Sequence, residues 1–162
     1  MIRTGIGFDV HRFAPGRKLI LGGVKIKSEV GLLGHSDADV VCHAVIDALL
    51  GAVADGDIGT HFPDTDQRWK DADSLKMLAA VAGKLKKKKA AIINIDVSVL
   101  AEKPRLTRYR EKMRKNISLV LGIDEAKVSI KATTLEGLGA LGRGEGIAAM
   151  AVAAVNDKVD RL

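Results

Sequence analysis

Two histidines and an aspartate in the first third of the chain are residue types that bind transition metals. Asp9 and His11 are separated by one residue, and His43 follows in a run of good helix formers. A strand would place Asp9 and His11 on one face of its sheet, within reach of a single ion. Two imidazoles and one carboxylate leave a tetrahedral ion with a free position for water or substrate, as in catalytic zinc sites. The pattern therefore predicts chemistry at a bound zinc ion.

Each part of this pattern also has an ordinary structural interpretation. A single histidine in a helix is more often a surface or core residue than a ligand, and Asp-x-His occurs by chance. Two further segments, residues 56–66 and 131–146, are dense in Gly, Asp and Thr. Loops that carry function are commonly of this kind, so the two segments favour the metal-site interpretation.

Two predicted elements must position the three ligands. Residues 2–13 mix apolar and β-compatible residues and predict a strand. Residues 37–54 predict a helix that begins after Ser36 as its N-cap. His43 then lies in the interior of that helix.

Neighbours of His43 on the predicted helix offer two orienting groups and one rival ligand. Asp39 and Asp47 lie one turn to either side of His43, so one of these carboxylates is expected to orient the imidazole. Cys42 is adjacent, but consecutive helical residues are rotated by about 100° and do not point at the same ion. We therefore expect Cys42 to be packed in the core.

The remaining segments alternate between strands and helices. The predicted elements are a hairpin of residues 18–22 and 24–27, a helix at 73–85, a strand at 91–100, a helix at 108–121 that ends at Gly122, and a strand at 127–132. Such alternation is typical of an α/β fold.

Composition predicts one domain, residues 1–162, without a membrane span. The chain is 47% hydrophobic, which is enough for a substantial core. Its apolar run at residues 148–155 is far shorter than the roughly 20 residues that a transmembrane helix needs. The N-terminal residues do not resemble a secretory signal, and a single cysteine forms no internal disulfide. We expect a cytoplasmic location and no membrane partner.

A short basic run leaves a second class of function to weigh. The net charge is +6, and Lys84 with residues 86–89 could contact nucleic acid or acidic lipid. The same lysines follow a predicted helix, whose C-terminal end favours positive charge. Aromatic residues make up 3% of the chain and none lies among the lysines, so no base-stacking platform is present. A solvated helix end is the preferred interpretation, with no nucleic-acid partner.

Taken together, the short motifs resemble the 2-C-methyl-D-erythritol 2,4-cyclodiphosphate synthase family. The motifs are GFDVH at residues 7–11, GHSD at 34–37, GDIG at 56–59, FPDTD at 62–66, KATT at 131–134 and GRGEG at 142–146. They occur in the family's order from residue 5 to about residue 155. Their combination is specific, although no single motif is.

The resemblance implies an α/β subunit of two layers, a mixed β-sheet with helices on one face. Three such sheets would surround the threefold axis of a homotrimer, with active sites between neighbouring subunits. Residues 147–155 are rich in alanine and favour a helix by propensity. The resemblance instead implies a strand there, returning beside residues 128–132, and we adopt that prediction.

The implied reaction is an intramolecular phosphoryl transfer. The 2-phosphate of 4-diphosphocytidyl-2-C-methyl-D-erythritol 2-phosphate attacks the β-phosphorus, expels CMP and closes 2-C-methyl-D-erythritol 2,4-cyclodiphosphate, an intermediate of the non-mevalonate route to isoprenoid precursors. Both the attacking and the leaving groups are phosphate oxygens. Catalysis would therefore consist of positioning and charge stabilisation, without a protein nucleophile.

The resemblance also assigns the metals and the catalytic groups. Zn²⁺, or another divalent transition metal, would bind Asp9, His11 and His43. Glu136 would hold Mg²⁺ or Mn²⁺ at the substrate diphosphate, since these ions prefer oxygen ligands. His35 and Thr134 match the catalytic positions that meet the phosphates.

The substrate-binding set implied by the resemblance is larger. It consists of Asp9, His11, His35, Ser36, Asp57, Ile58, Gly59, Phe62, Pro63, Asp64, Thr65, Asp66, Ala101, Glu102, Lys103, Pro104, Arg105, Leu106, Thr107, Thr133, Thr134, Leu135, Glu136, Ala140 and Arg143. Residues 57–59 and 62–66 would hold the methylerythritol hydroxyls, and residues 101–107 would form the cytidine loop.

Several members of this set have a structural alternative. Segments 57–59 and 62–66 also suit ordinary turns, particularly at Pro63 and Asp64. Residues 101–107 also read as a proline-containing loop with an exposed basic residue. Arg143 aligns with a phosphate or subunit-contact arginine, although an ion pair with Glu145 fits equally well.

Two positions depart from the family pattern. Leu135 stands where a third threonine is common, and Ala140 stands where an aromatic residue is common. The loss of the aromatic side chain puts in doubt a pocket for isoprenoid phosphates near the trimer axis.

Overall fold

The computed structural model describes residues 1–157 as one α/β unit built on a mixed sheet, so the last five residues of the expected domain lie outside the described range. The strands are β1 (Ile2–Ala14), β2 (Leu19–Leu21), β3 (Val24–Ile26), β4 (Gly31–Leu32), β5 (Ala90–Leu100), β6 (Val128–Thr133) and β7 (Gly146–Asp157). The main sheet has the order β4-β1-β7-β5-β6, and β2 and β3 form the predicted hairpin. Only β5 and β6 are parallel neighbours in the described part of this sheet. The predicted mixed sheet is confirmed.

The predicted long helices are present with slightly different ends. The helices are α1 (Val40–Ala52), α2 (Ile58–His61), α3 (Ser74–Lys87), α4 (Arg110–Leu121) and α5 (Gly139–Gly142). A 3₁₀ turn at Thr107–Tyr109 precedes α4, and Gly122 ends α4 with a φ of 66°, as predicted for a C-terminal glycine. The last turn of α3 carries Lys84, Lys86 and Lys87. Their positive charge interacts favourably with the C-terminal end of the helix dipole. No helix within residues 1–157 is long and apolar enough to cross a bilayer.

The predicted N-cap of α1 was wrong. Asp39, not Ser36, caps the helix, and its side chain accepts from the amides of Val41 and Cys42. Ala38 has a φ of 58°, a left-handed conformation that excludes a helix from starting at residue 37. Ser36 Oγ instead accepts from Ala38 N at 3.2 Å and lies against His43.

Residues 147–155 lie in a strand, as the resemblance implied, but β7 does not pair with β6. It pairs antiparallel with β1 on one side and with β5 on the other, and β5 separates it from β6. The position expected for β7 beside residues 128–132 was therefore wrong. Ala149, Ala151 and Ala153 are fully buried. Tertiary packing thus overrides their helix propensity, because small side chains let a helix approach the sheet closely.

Helix α1 packs directly on β1 and β7. Gly5 and Gly7 of β1 face its backbone so closely that a Cβ on either would overlap the carbonyl oxygens of Ala48 and Ala44. Helices α3 and α4 complete the layer, in contact with α1, β5 and β6. The helices therefore cover one face of the sheet, and α1 is held at backbone contact with the strand that carries Asp9.

The opposite face of the sheet carries apolar side chains that are left exposed by the rest of residues 1–157. Ile6, Phe8 and Val10 of β1 are 66%, 51% and 49% exposed. Met150 and Val152 of β7 are paired with Phe8 and Ile6 and are also exposed. Contiguous exposed apolar surface of this kind commonly marks an interaction site.

Candidate metal centre and active site

Asp9, His11 and His43 converge on one point between β1 and α1. Asp9 Oδ2 lies 3.2 Å from His11 Nε2 and 2.9 Å from His43 Nδ1. One ligand atom of each residue lies within 4.8 Å of the others, and within residues 1–157 no other group of three such side chains is placed this way. The structure therefore brings together the three residues that the sequence predicted, in a group that could hold a metal ion.

The electrostatics of the three residues favour a negative carboxylate. Burial acts to raise the pKa of Asp9, but hydrogen bonds from His11 and His43 outweigh it and hold that pKa well below its usual range. The hydrogen bond to Asp9 raises the pKa of His11. Asp9 is thus an ionised oxygen donor flanked by two imidazoles, a donor set suited to a divalent transition metal.

The groups that contact His43 on its other side are not those predicted. His43 Nε2 lies 2.9 Å from Ser74 Oγ and 3.2 Å from Ser36 Oγ. Asp39 instead accepts from backbone amides, and Asp47 Oδ1 accepts from Ile58 N at 2.7 Å. The expectation that Asp39 or Asp47 orients His43 was wrong, because both carboxylates are engaged by main-chain donors.

Cys42 does not compete as a ligand. Its side chain is fully buried in the core and forms no disulfide. Burial raises the pKa of the Cys42 thiol well above its ordinary value, so the thiol stays protonated. The prediction that Cys42 is packed is confirmed.

The three candidate ligands open into a cleft of about 420 Å³. The lining residues are Asp9, His11, His35, Ser36, His43, Ile58, Gly59, Phe62, Pro63, Asp64, Trp69 and Met77. Most of these residues belong to the predicted substrate-binding set. A small ligand in this cleft would therefore lie next to both the three candidate metal ligands and the loop that follows α2.

Asp57, Thr65 and Asp66 do not line this cleft. Asp57 caps α2 and accepts from Thr60 N and Thr60 Oγ1, both at 2.8 Å. Asp66 is paired with Arg68 through contacts as short as 2.6 Å. In one chain these two carboxylates therefore serve turn structure, which was the alternative interpretation of the segment.

A second cleft of about 770 Å³ is formed by the predicted cytidine loop. Its lining residues are Ala101, Glu102, Lys103, Pro104, Arg105, Leu106, Thr107, Ala132, Thr133 and Thr134. Glu102 Oε1 accepts from Leu135 N at 2.7 Å and ties this loop to the segment after β6. The two predicted segments thus meet in one concave surface that shares no residue with the metal cleft.

The remaining predicted residues lie after β6 and are exposed. Thr134 Oγ1 donates to Glu136 Oε1 at 2.7 Å, and Glu136 has a φ of 53°. Arg143 pairs with Glu145 at 2.7 Å, as the alternative interpretation expected, and Ala140 is exposed on α5. Glu136 does not join the Asp9, His11 and His43 group.

Sheet register separates the two clefts within one chain. Asp9, Ala149, Val99 and Ala132 face one another across β1, β7, β5 and β6. Three strand spacings amount to about 14 Å. Thr134 and Glu136 follow Ala132, so they leave the sheet from the strand that lies three spacings from the strand of Asp9.

Sequence reasoning missed Ser74, Trp69 and Met77 at the metal cleft. Ser74 is the first residue of α3 and is fully buried, but its sequence context indicates only a helix start. Trp69 lines the cleft and packs edge-on against Phe62, with ring centroids 4.8 Å apart. It is the single tryptophan of a chain poor in aromatic residues, a signal that could have pointed to it.

Comparisons with known proteins identify the family of the chain. The YgbB family model matches residues 2–156. A 2-C-methyl-D-erythritol 2,4-cyclodiphosphate synthase of Alkaliphilus metalliredigens is 56% identical over 158 residues, covering 98% of this chain and 99% of the relative.

Two solved structures share the fold. The bifunctional IspDF of Campylobacter jejuni superposes with a TM-score of 0.92 at 43% identity over 96% of this chain, which spans 42% of that longer protein. IspF of Plasmodium falciparum, in a CDP complex, superposes with a TM-score of 0.86 at 37% identity, over 98% of this chain and 97% of that one. The chain therefore belongs to the YgbB family, alongside the curated 2-C-methyl-D-erythritol 2,4-cyclodiphosphate synthases.

Proposed function

We propose that the chain is a 2-C-methyl-D-erythritol 2,4-cyclodiphosphate synthase, a CMP-forming lyase of the non-mevalonate route to isoprenoid precursors. The 2-phosphate of 4-diphosphocytidyl-2-C-methyl-D-erythritol 2-phosphate attacks the β-phosphorus, the bond from that phosphorus to the CMP oxygen breaks, and the cyclic diphosphate forms. The observation that carries this proposal is the convergence of Asp9, His11 and His43 in the wall of one cleft. Near-full-length relatives with this name support it.

The residues of the metal cleft bind and orient the phosphates. Asp9, His11 and His43 would hold Zn²⁺ or a similar divalent ion, since two nitrogens and one oxygen suit such an ion. His35 and Ser36 line the same cleft and donate hydrogen bonds to charge that develops on the phosphate. Residues 57–59 and 62–66 hold the methylerythritol hydroxyls, with Ile58, Gly59, Phe62, Pro63 and Asp64 at the cleft wall.

The second cleft holds the nucleotide end of the substrate. Residues 101–107 form the cytidine pocket in the second cleft. A related structure in a CDP complex supports a cytidine nucleotide as ligand. Thr133, Thr134, Leu135 and Glu136 meet the diphosphate, with Glu136 as the ligand of Mg²⁺ or Mn²⁺. Bound at these two places, the ions would supply Lewis-acid polarisation of the β-phosphate and neutralise charge on the diphosphate. Arg143 and Ala140 lie near this segment in sequence and belong to the same proposed surface.

Each complete active site lies between two copies of the chain. Within one chain Asp9 of the metal cleft and Ala132 of the second cleft are three strand spacings apart, about 14 Å, yet the proposed ligands of the two clefts must meet on one diphosphate. A neighbouring subunit supplies the missing half. The exposed apolar face that includes Ile6, Phe8 and Met150 supports a homotrimer with three sheets packed around its axis.

The whole chain, residues 1–162, forms one catalytic domain in this proposal. Its fully buried, unpaired Cys42 suits a reducing compartment, and we place the enzyme in the cytoplasm. No nucleic acid and no membrane takes part in the reaction.

Phosphorus NMR tests the proposal directly. The purified protein is incubated with 4-diphosphocytidyl-2-C-methyl-D-erythritol 2-phosphate, Zn²⁺ and Mg²⁺. Equal amounts of CMP and cyclic diphosphate are expected. Linear phosphates would instead identify a hydrolase that uses a metal-activated water, and unchanged substrate in metal-loaded protein would overturn the assignment.

A further inference from the structure

His43 is contacted on two opposite sides of its ring. Nδ1 lies 2.9 Å from Asp9 Oδ2, on the side of the proposed metal. Nε2 lies 2.9 Å from Ser74 Oγ, a hydroxyl that is fully buried at the first residue of α3. The first residue of α3 therefore contacts His43 of α1 on the side of the ring that faces away from the proposed metal.

The hydrogen-bond direction at Ser74 follows from Asp37. The Asp37 carboxylate accepts from Ser74 N through Oδ2 at 3.0 Å and from Ser74 Oγ through Oδ1. A carboxylate only accepts, and a hydroxyl has a single hydrogen to give. Because that hydrogen goes to Asp37, Ser74 Oγ can only accept from His43, and the donor must be Nε2–H.

We infer that Asp37 and Ser74 are positioning residues that act through His43. By accepting from Nε2–H, Ser74 fixes the ring so that Nδ1 faces Asp9 and His11. With a metal ion bound, the same contact would hold the tautomer whose lone pair is on Nδ1. Asp37 in turn orients the Ser74 hydroxyl. The inference rests on the proposed function only in requiring a metal ion at this group.

The energetic weight of this chain of hydrogen bonds should be substantial. Outer groups that hold a metal-bound imidazole typically change metal affinity by about 10- to 100-fold. Ser36 Oγ also lies 3.2 Å from Nε2, but it accepts from Ala38 N and has no carboxylate partner among the described contacts. Loss of Ser74 or Asp37 should therefore weaken metal binding more than loss of Ser36.

Cobalt binding to the metal-free full chain tests the inference without substrate. Co²⁺ affinity is measured by competition with a chelator, and the visible spectrum of the bound ion reports its coordination. Ser74→Ala and Asp37→Asn should each weaken Co²⁺ binding by about 10- to 100-fold and alter the visible spectrum. Ser74→Thr keeps the hydroxyl oxygen and should restore most of the affinity.

A matched control lies next to Ser74. Asp73 caps the same helix end through Leu75 N, and Asp73→Asn preserves a good cap without touching His43, so it should bind Co²⁺ normally. Cooperative thermal unfolding of each metal-free variant shows that the fold persists. Native affinity and spectrum in folded Ser74→Ala and Asp37→Asn would overturn this inference alone. A native chain that binds no Co²⁺ would overturn the metal site as well.

Discussion

Gly7 of β1 lies against the carbonyl oxygen of Ala44 in α1, with no room for a side chain between them. A Cβ on Gly7 would overlap that oxygen and the backbone nitrogen of Ala48. Gly7 precedes Asp9 by two residues and Ala44 directly follows His43. The close approach of strand and helix therefore sets the separation between two proposed metal ligands.

Gly7→Ala is expected to loosen this metal site. The added methyl group must push α1 away from β1, which should lower the free energy of unfolding by about 1–3 kcal/mol and move His43 away from Asp9. Metal binding should weaken in proportion. Denaturant unfolding and chelator competition measure the two effects on the same protein.

Gly83→Ala provides the matched control for that substitution. Gly83 lies within α3 and nothing lies within 4 Å of its missing Cβ. Alanine is the better helix former, so this variant should gain about 0.5–1 kcal/mol and keep its metal. If Gly7→Ala behaved like Gly83→Ala, the packing account of the site would be wrong.

Asp9→Ala and His43→Ala should each lose the metal ion. Each removes one of only three protein ligands, so metal retained after dialysis should fall to background and CMP release should stop. His61→Ala is the control, because His61 Nε2 bonds to Asp55 O at 2.7 Å, away from the metal group. Full metal content in both ligand variants would refute the assignment.

Mixing two inactive variants tests whether the site lies between subunits. His43→Ala loses the metal cleft and Glu136→Ala loses the second metal ligand. In a cyclic trimer assembled from an equal mixture, about a quarter of the interfaces pair an intact metal cleft with an intact Glu136. CMP release should recover to about that fraction after unfolding and joint refolding. A site contained within one chain would give no recovery.

Asp39→Asn is expected to destabilise the fold. The fully buried Asp39 carboxylate accepts from Gly22 N, Gly23 N, Val41 N and Cys42 N at 2.7–3.1 Å. An amide nitrogen in place of one oxygen leaves at least one buried N–H without an acceptor, which costs about 1–3 kcal/mol. The difference in denaturation midpoint measures the loss.

Asp124→Asn is the comparison for Asp39→Asn. Asp124 is exposed and accepts from Ala126 N alone, and asparagine caps nearly as well as aspartate. Its unfolding free energy should stay within about 0.5 kcal/mol of the native value. Equal losses in both variants would contradict the role given to Asp39.

The ion pair between Asp55 and Lys88 predicts a loss of stability in acid. Lys88 Nζ lies 2.9 Å from Asp55 Oδ1, and this hydrogen bond lowers the pKa of Asp55 from its ordinary 3.8. The folded state thus favours the ionised carboxylate. The contribution is fully present above the unfolded pKa and is lost as pH falls through the lower folded pKa.

The magnitude should be small because Lys88 is 43% exposed. We expect at most about 1 kcal/mol. Near neutral pH, Asp55→Asn should have a lower unfolding free energy than the native chain by this amount. In strong acid the two unfolding free energies should be equal. A gap that persists in acid would mean that the ion pair is not its source.

Local patterns predicted most elements because their physical cause is local. The alternation of Ile95, Val97 and Val99 indicates a strand without knowledge of the neighbouring strands. Likewise, Gly122 indicates the end of α4 from its position in the sequence alone. The pairing of β7 depended on which strand had a free edge. That is a property of the assembled sheet, so the expected position beside β6 was wrong.

The metal group was visible in the sequence, but the residues that orient it were not. The sequence predicted that Asp39 or Asp47 orients His43, since helical spacing places both near it. In the folded chain, both carboxylates instead accept hydrogen bonds from backbone amides, Asp39 from Gly22 N and Asp47 from Ile58 N. Ser74 reaches His43 only because α3 packs across α1.

The ligand types, the Asp9-x-His11 spacing and the family motifs can be read from the sequence, because strand and helix periodicity decide which side chains share a face. The folded structure was needed to show that Gly7 lets α1 contact β1 and that Ser74 and Asp37 lie behind His43. Hydrogen bonds and close packing join residues far apart in the chain, and such contacts exist only once the sheet and helices have come together.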